Sequence, residues 1–116
     1  LSYSVLNSAR ASGATFEGAK LIRAQCVNTN FSRGDLNSAE LAGGNFQGAQ
    51  FVDADLTNAD LRNGNFVGSN FDGAKLRGAR FFGGKFDAKA AAAFGIEKFQ
   101  RDGEIYTYVV DGPLTI

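Results

Sequence analysis

Asp35 and Asp55 stand twenty residues apart with Asp53 close by, and carboxylates sharing a site can divide general acid and base roles or hold a divalent cation. Nothing else in the chain converges on them. The sequence has no His, no Met and no Trp, which removes the commonest general base and the commonest metal ligand. Ser is plentiful but has no His to activate it. A single Cys, Cys26, cannot form an internal disulfide, and its thiol is a nucleophile only as a thiolate. The carboxylates are therefore read as a solvated column, and the chain as no enzyme, with no cofactor and no metal.

The elements that would carry these residues follow from one pattern. Every fifth residue from Leu1 to Phe86 is Leu or Phe, with Ala11 and Cys26 as the exceptions. A period of five fits neither regular element. On an α-helix each step rotates the apolar position by about 140°, so the set spirals around the whole surface. On a straight strand five is odd, and successive members point to opposite faces. A chain that runs extended for a few residues and then turns a corner, repeatedly and about one axis, brings every fifth side chain inward. From Leu36 the inward residues read Leu36, Leu41, Phe46, Phe51, Leu56, Leu61, Phe66, Phe71, Leu76, an order that repeats after twenty. Four pentads make one coil. Residues twenty apart should stack as columns: Phe46, Phe66 and Phe86; Phe31, Phe51 and Phe71; Leu36, Leu56 and Leu76; Leu21, Leu41 and Leu61. Adjacent coils should lie ~4.8 Å apart, the hydrogen-bonded strand spacing, in a parallel β-solenoid of a little over four coils.

The flanking positions agree. Two residues before each inward residue, from Ser4 to Gly84, the chain places ten Ala, four Gly, two Ser and one Thr, as it must if that side chain also points inward beside a filled axis. Two residues after, Gly occurs at eight positions, among them Gly43, Gly48, Gly68 and Gly73, as corners with positive φ require. The remaining positions are polar and face water.

Segments such as Ala54-Asp55-Leu56-Thr57-Asn58, Ala59-Asp60-Leu61-Arg62-Asn63 and Ala39-Glu40-Leu41-Ala42-Gly43 resemble the A(D/N)LXX motif of the pentapeptide-repeat protein family. The resemblance spans residues 1–87 and implies an all-β fold, the right-handed quadrilateral β-helix. It is specific for fold and weak for function, because the family includes DNA-mimicking binders of topoisomerases that protect against quinolones, secreted effectors, and cyanobacterial and chloroplast members of unknown role.

Twelve Lys and Arg balance twelve Asp and Glu, so the molecule offers no net field and favours neither nucleic acid nor membrane as a partner. No apolar run reaches the length of a membrane span. No signal peptide is visible, and the chain begins at Leu1, so a processed or truncated product is expected; the cytoplasm is favoured, with native targeting open. Cys26 falls at an inward position and is read as a buried thiol. Asn30-Phe31-Ser32 matches a glycosylation sequon, but Phe31 belongs to the repeat.

Charge is ordered along the axis. Arg10, Lys20, Arg23 and Arg33 come first against Glu17, then Asp35, Glu40, Asp53, Asp55 and Asp60 with no base among them, then Lys75, Arg77, Arg80, Lys85 and Lys89 against Asp87. The acidic belt is one candidate interaction surface. A second is the flat wall of amides and valines around the Cys26 column, including Val27, Gln47 and Val67. The favoured function is a rigid scaffold for a protein partner, as monomer or homodimer. The alternatives are a DNA-mimicking topoisomerase binder and a secreted or lumenal structural domain.

Residues 88–116 break the period and are expected to cap the coil. Asp87 suits the N-cap of a helix over Ala88–Phe94 ended by Gly95. Ile96–Gln100 and Glu104–Val110 flank Arg101-Asp102-Gly103, a hairpin signal. Phe94, Ile96 and Phe99 are expected to cover the last coil, with an oligomerisation arm as the alternative reading of the same apolar residues.

Overall fold

A computed structural model describes residues 2–115; Leu1, the first of the fivefold positions, and Ile116 lie outside the described residues. Each pentad builds the same corner. The N–H three residues after an inward residue donates to that residue's C=O, from Ala9 to Leu6 (3.0 Å) through Gly84 to Phe81 (2.7 Å). The third residue of every such turn has positive φ, whether Gly or not, as in a type II turn: Gly48 at 68°, Asn58 at 59°, Arg23 at 55°. Where the side chain is not Gly, the strain is accepted because the coils on either side fix the corner.

Parallel bridges join residues twenty apart, from Val5 with Gln25 through Asn65 with Lys85. Three backbone hydrogen bonds per pentad tie one coil to the next. For the third coil they run from Phe46 N–H to Asn65 C=O (2.7 Å), Gly48 N–H to Val67 C=O (3.0 Å) and Asn65 N–H to Gly44 C=O (2.9 Å). The coil therefore has four faces: face 1 over Leu6, Cys26, Phe46, Phe66 and Phe86; face 2 over Ala11, Phe31, Phe51 and Phe71; face 3 over Phe16, Leu36, Leu56 and Leu76; face 4 over Leu21, Leu41, Leu61 and Phe81.

This register sets the core. The Phe46 and Phe66 rings stack with centroids 5.2 Å apart and planes 4° apart, and Phe51 and Phe71 stack at 4.9 Å and 4°. Leu21, Leu36, Leu41, Leu56 and Leu61 are fully buried with them. The small positions lie inside as well. The Thr29 and Ser69 hydroxyls donate to Leu6 C=O and Phe46 C=O of the preceding coil, each at 2.6 Å, so their polarity is satisfied within the axis. At Gly44 a Cβ would run into the Phe46 ring, which is why this small site is emptied altogether.

Past the coil, Lys85–Phe86 (β1) leads into a helix over Ala88–Phe94 (α1), whose N-cap Asp87 accepts from Ala90 N–H at 3.0 Å. Phe94 turns down the axis and packs its ring 5.7 Å from Phe71, 5.4 Å from Phe81 and 5.4 Å from Phe86. Gly95, at φ 99°, reverses the chain. Ile96 does not cover the coil as the sequence suggested. It opens a single 3₁₀ turn, Ile96–Lys98, and is 57% exposed, because Phe94 already fills the axis and Gly95 swings the next residue outward. Phe99, half-buried, stands edge-on to Phe86 at 5.6 Å.

Phe99–Asp102 (β2) and Ile105–Tyr108 (β3) form the hairpin. Its two-residue turn is Gly103-Glu104 rather than Asp102-Gly103, since Asp102 pairs with Ile105, and Gly103 at φ 62° takes the first central position that a type II′ turn reserves for Gly. The sheet order is β1-β3-β2, antiparallel throughout. Beyond β3 the tail crosses to the next corner, where Leu114 receives the Gly78 N–H (2.7 Å) and donates to Ala79 C=O (2.9 Å). The tail thus serves as strand closure as well as plug.

Candidate interaction surfaces

The acids fall into the columns that the twenty-residue register dictates. Asp35 and Asp55 bridge directly on face 3, with Thr15 before them and Lys75 after; Glu40 and Asp60 bridge on face 4 between Lys20 and Arg80. Asp53 is exposed at the corner between faces 2 and 3. The belt thus spans two adjacent faces, and each column of it ends in a cation.

Most of these carboxylates also have a local task. Wherever Asn or Asp immediately precedes an inward residue, its Oδ1 accepts from the N–H two residues on: Asn30 from Ser32, Asp35 from Asn37, Asn45 from Gln47, Asp55 from Thr57, Asp60 from Arg62, Asn65 from Val67 and Asn70 from Asp72, at 2.9–3.2 Å. This Asx turn pre-orders the corner that follows. Sequence reasoning treated Asp35, Asp55 and Asp60 as surface charge and missed the role; the recurrence of Asn and Asp at one phase of the pentad was the available signal.

The Thr57 hydroxyl donates to Asp55 Oδ1 at 2.6 Å and, with the Thr57 N–H, holds that carboxyl below the usual carboxylate range. Arg62 grips Asp60 through Nε (2.8 Å) and Nη2 (2.7 Å), and this bidentate pair lowers the Asp60 pKa. Among the described residues no cluster of three acid, Cys or His groups is gathered as a metal site would need.

Val27, Gln47 and Val67 follow one another up face 1, on the side opposite Asp35 and Asp55. Gln47 is exposed and the two valines are half-buried. The column closes at Asp87, which accepts from Gly68 N–H at 3.0 Å while capping α1. The acidic belt and the amide wall are therefore separate surfaces.

Beneath the wall, Cys26 is fully buried, and burial pushes its thiol up to about 11 despite the Thr29 hydroxyl beside it. It stays protonated at neutral pH, so it is not the thiolate that a nucleophile requires.

A family model for pentapeptide repeats matches eight copies over residues 1–37, 21–58 and 49–86. The chain belongs to the pentapeptide-repeat family. Its solved members include HetL, from the cyanobacterium Nostoc sp. strain PCC 7120, involved in heterocyst differentiation regulation; it is 30% identical with a TM-score of 0.71, over 72% of this chain and 39% of HetL. Rfr23, a pentapeptide-repeat protein from the cyanobacterium Cyanothece 51142, is 31% identical with a TM-score of 0.39, over 68% of this chain and 57% of Rfr23. This pentapeptide-repeat chain thus matches less than two thirds of the length of either. No curated protein matches it by sequence. The fold expected of the family, a quadrilateral β-helix, is the one these residues form.

Proposed function

We propose that the chain is a non-enzymatic, rigid scaffold that binds a protein partner on the outside of its coil. The observation that carries this reading is the division of labour within each pentad. Inward residues and Asx turns build the fold, and the residues left over, such as Gln47, Val67 and Glu40, stand in fixed columns at strand spacing on flat faces. Such a surface presents its side chains from a backbone that has little conformational freedom left to lose on binding. The likeness to HetL, itself involved in regulation, supports a binding role over a purely structural one.

The acidic belt suits a DNA mimic poorly. Asp35, Asp55 and Asp60 each commit an oxygen to their own backbone, and Lys20, Lys75 and Arg80 stand at the ends of the columns. A mimic needs an acidic track that follows a DNA groove.

The test places a photo-crosslinker in turn at residues 47, 55 and 67 of the full chain in its native cell. A single partner crosslinked from one face, and lost when Val67→Arg or Asp55→Lys alters that face alone, is the expected result. Equal, unspecific crosslinking from every face would overturn the scaffold reading. Salt-sensitive competition with DNA for a topoisomerase, lost on neutralising Asp35, Asp55 and Asp60, would put the mimic first.

A further inference from the structure

Face 2 ends one coil before face 1. Its last rung is Asn70–Phe71–Asp72, because residue 91, where the next would sit, lies in α1. One coil earlier the same edge is occupied: Phe51 N–H donates to Asn70 C=O (2.7 Å), Asp53 N–H to Asp72 C=O (2.9 Å), and Asn70 N–H to Ala49 C=O (3.0 Å). At the last rung the equivalent groups are Phe71 N–H, Gly73 N–H and Ser69 C=O, and none has a partner among the described residues. The tail closes face 1 through β3 and the start of face 4 through Leu114. Over face 2 it leaves a cleft of about 270 Å³, lined by Asn70, Phe71 and Asp72 against Ala93 and Phe94 of α1. Ser69 and Phe71 line the cleft and Gly73 directly follows its lining residue Asp72; the Leu76 and Phe81 N–H groups also lack partners among the described residues, but neither they nor their chain neighbours line it.

We propose that this edge receives an extended peptide segment of a partner protein by strand addition, which rests on the scaffold reading and names the class of partner. The ladder fixes what that segment must offer. One residue sets its N–H on Ser69 C=O and its C=O on Phe71 N–H, and the residue two further on sets its C=O on Gly73 N–H. The residue between them points inward, where the Phe94 ring already stands 5.7 Å from that of Phe71, so it must be Gly or Ala. The residue after it stacks outside Asp72. Asp72 and Asp87 line the cleft, and among the described residues Lys89 is the only cation lining it, so a Lys or Arg is favoured at that place. The partner segment is an extended strand reading small residue, then cation.

A synthetic peptide of residues 67–75 carrying F71A and D72K meets these requirements and serves as the probe. It would be titrated into the full chain while backbone amides are followed by NMR. The expected result is binding in which exchange of the Phe71 and Gly73 amide protons slows by about tenfold or more while those of Phe51 and Asp53, already bonded, do not change. Ala93→Trp, at an exposed position that fills the cleft, should abolish binding, and the peptide carrying F71A alone should bind about tenfold more weakly. Shifts confined to another face would overturn strand addition and leave the scaffold reading standing. No shift up to about 1 mM peptide would also overturn it, with the scaffold reading still decided by its own crosslinking test. Protection of Phe71 and Gly73 that rises with protein concentration in the absence of peptide would assign the edge to a second copy of the chain and defeat the proposal.

Discussion

The side-chain oxygen of Asn58 occupies the space that a Cβ on Gly78 would need, one coil further along the same corner. The same pairing recurs between Asn28 and Gly48, Asp53 and Gly73, and Asn63 and Gly83. A corner glycine here answers two demands at once: positive φ, and the side chain leaning over from the coil before it.

The two demands separate by mutation. Gly13→Ala keeps open space around its new methyl group, at φ 72°, and should cost only the left-handed strain of an L-residue, about 1 kcal/mol. Gly78→Ala, at φ 80° and against Asn58, should cost about 1 kcal/mol more. Adding Asn58→Gly should bring the double variant back toward the Gly13→Ala value, as read by urea denaturation. Equal losses in the two single variants would remove Asn58 from the account.

The axis should be far more sensitive than the wall outside it. Phe66 is fully buried and stacked 5.2 Å from Phe46 and 5.3 Å from Phe86, so Phe66→Ala should lose about 3–5 kcal/mol. Val67→Thr, one residue on and facing outward, should lose under about 0.5 kcal/mol. Comparable losses in thermal unfolding would refute the inward assignment.

The plug is Phe94 and not its neighbour. Phe94→Ala opens a gap against Phe71, Phe81 and Phe86 and should cost about 3 kcal/mol, whereas Ile96→Ala, at a site 57% exposed, should be within about 0.5 kcal/mol of the parent. Deleting residues 88–116 should bare both the apolar axis and the strand edge that β3 covers, giving concentration-dependent association by light scattering. A truncated chain that stays monomeric would show that the coil end needs no cover.

Alkaline pH should weaken the fold through Cys26. Its thiol titrates near 9.0 when free and about 11 when folded, so the folded state holds the proton more tightly. Its contribution is complete below pH 9 and is lost as pH rises toward 11, a decrease of about 1–3 kcal/mol. Cys26→Ala should be less stable at pH 7 yet show a shallower decline across that window in chemical denaturation. An unchanged slope would mean that the thiol reaches solvent before the coil opens.

What the sequence made legible was whatever repeats. The inward columns, the small positions and the corners each recur many times, so Phe46 could be placed over Phe66 without coordinates, and Asp35 could be stacked with Asp55 by counting twenties. What was hidden occurs once or depends on direction. Ile96 has the composition of a lid residue, but the single reversal at Gly95 sends it outward. The hairpin turn shifted by one residue because Gly103 at the first central position fixes the turn type more firmly than the Asp-Gly pair does. The open edge at Phe71 and Gly73 was invisible because it follows from where the tail does not go.

The ladder of bridges between residues twenty apart has a consequence for how such a chain can change its length over evolution. Gain or loss of twenty residues within the coil returns every later side chain to the face it left, so the surface grows or shrinks with its pattern in phase. Gain or loss of five keeps every corner and every inward residue intact but rotates everything beyond it by a quarter turn, carrying the helix, the hairpin and the cleft over Phe71 to a different side. A duplication of one pentad is therefore nearly silent for folding and drastic for geometry. It re-aims one end of the molecule against the other without altering a single contact within either.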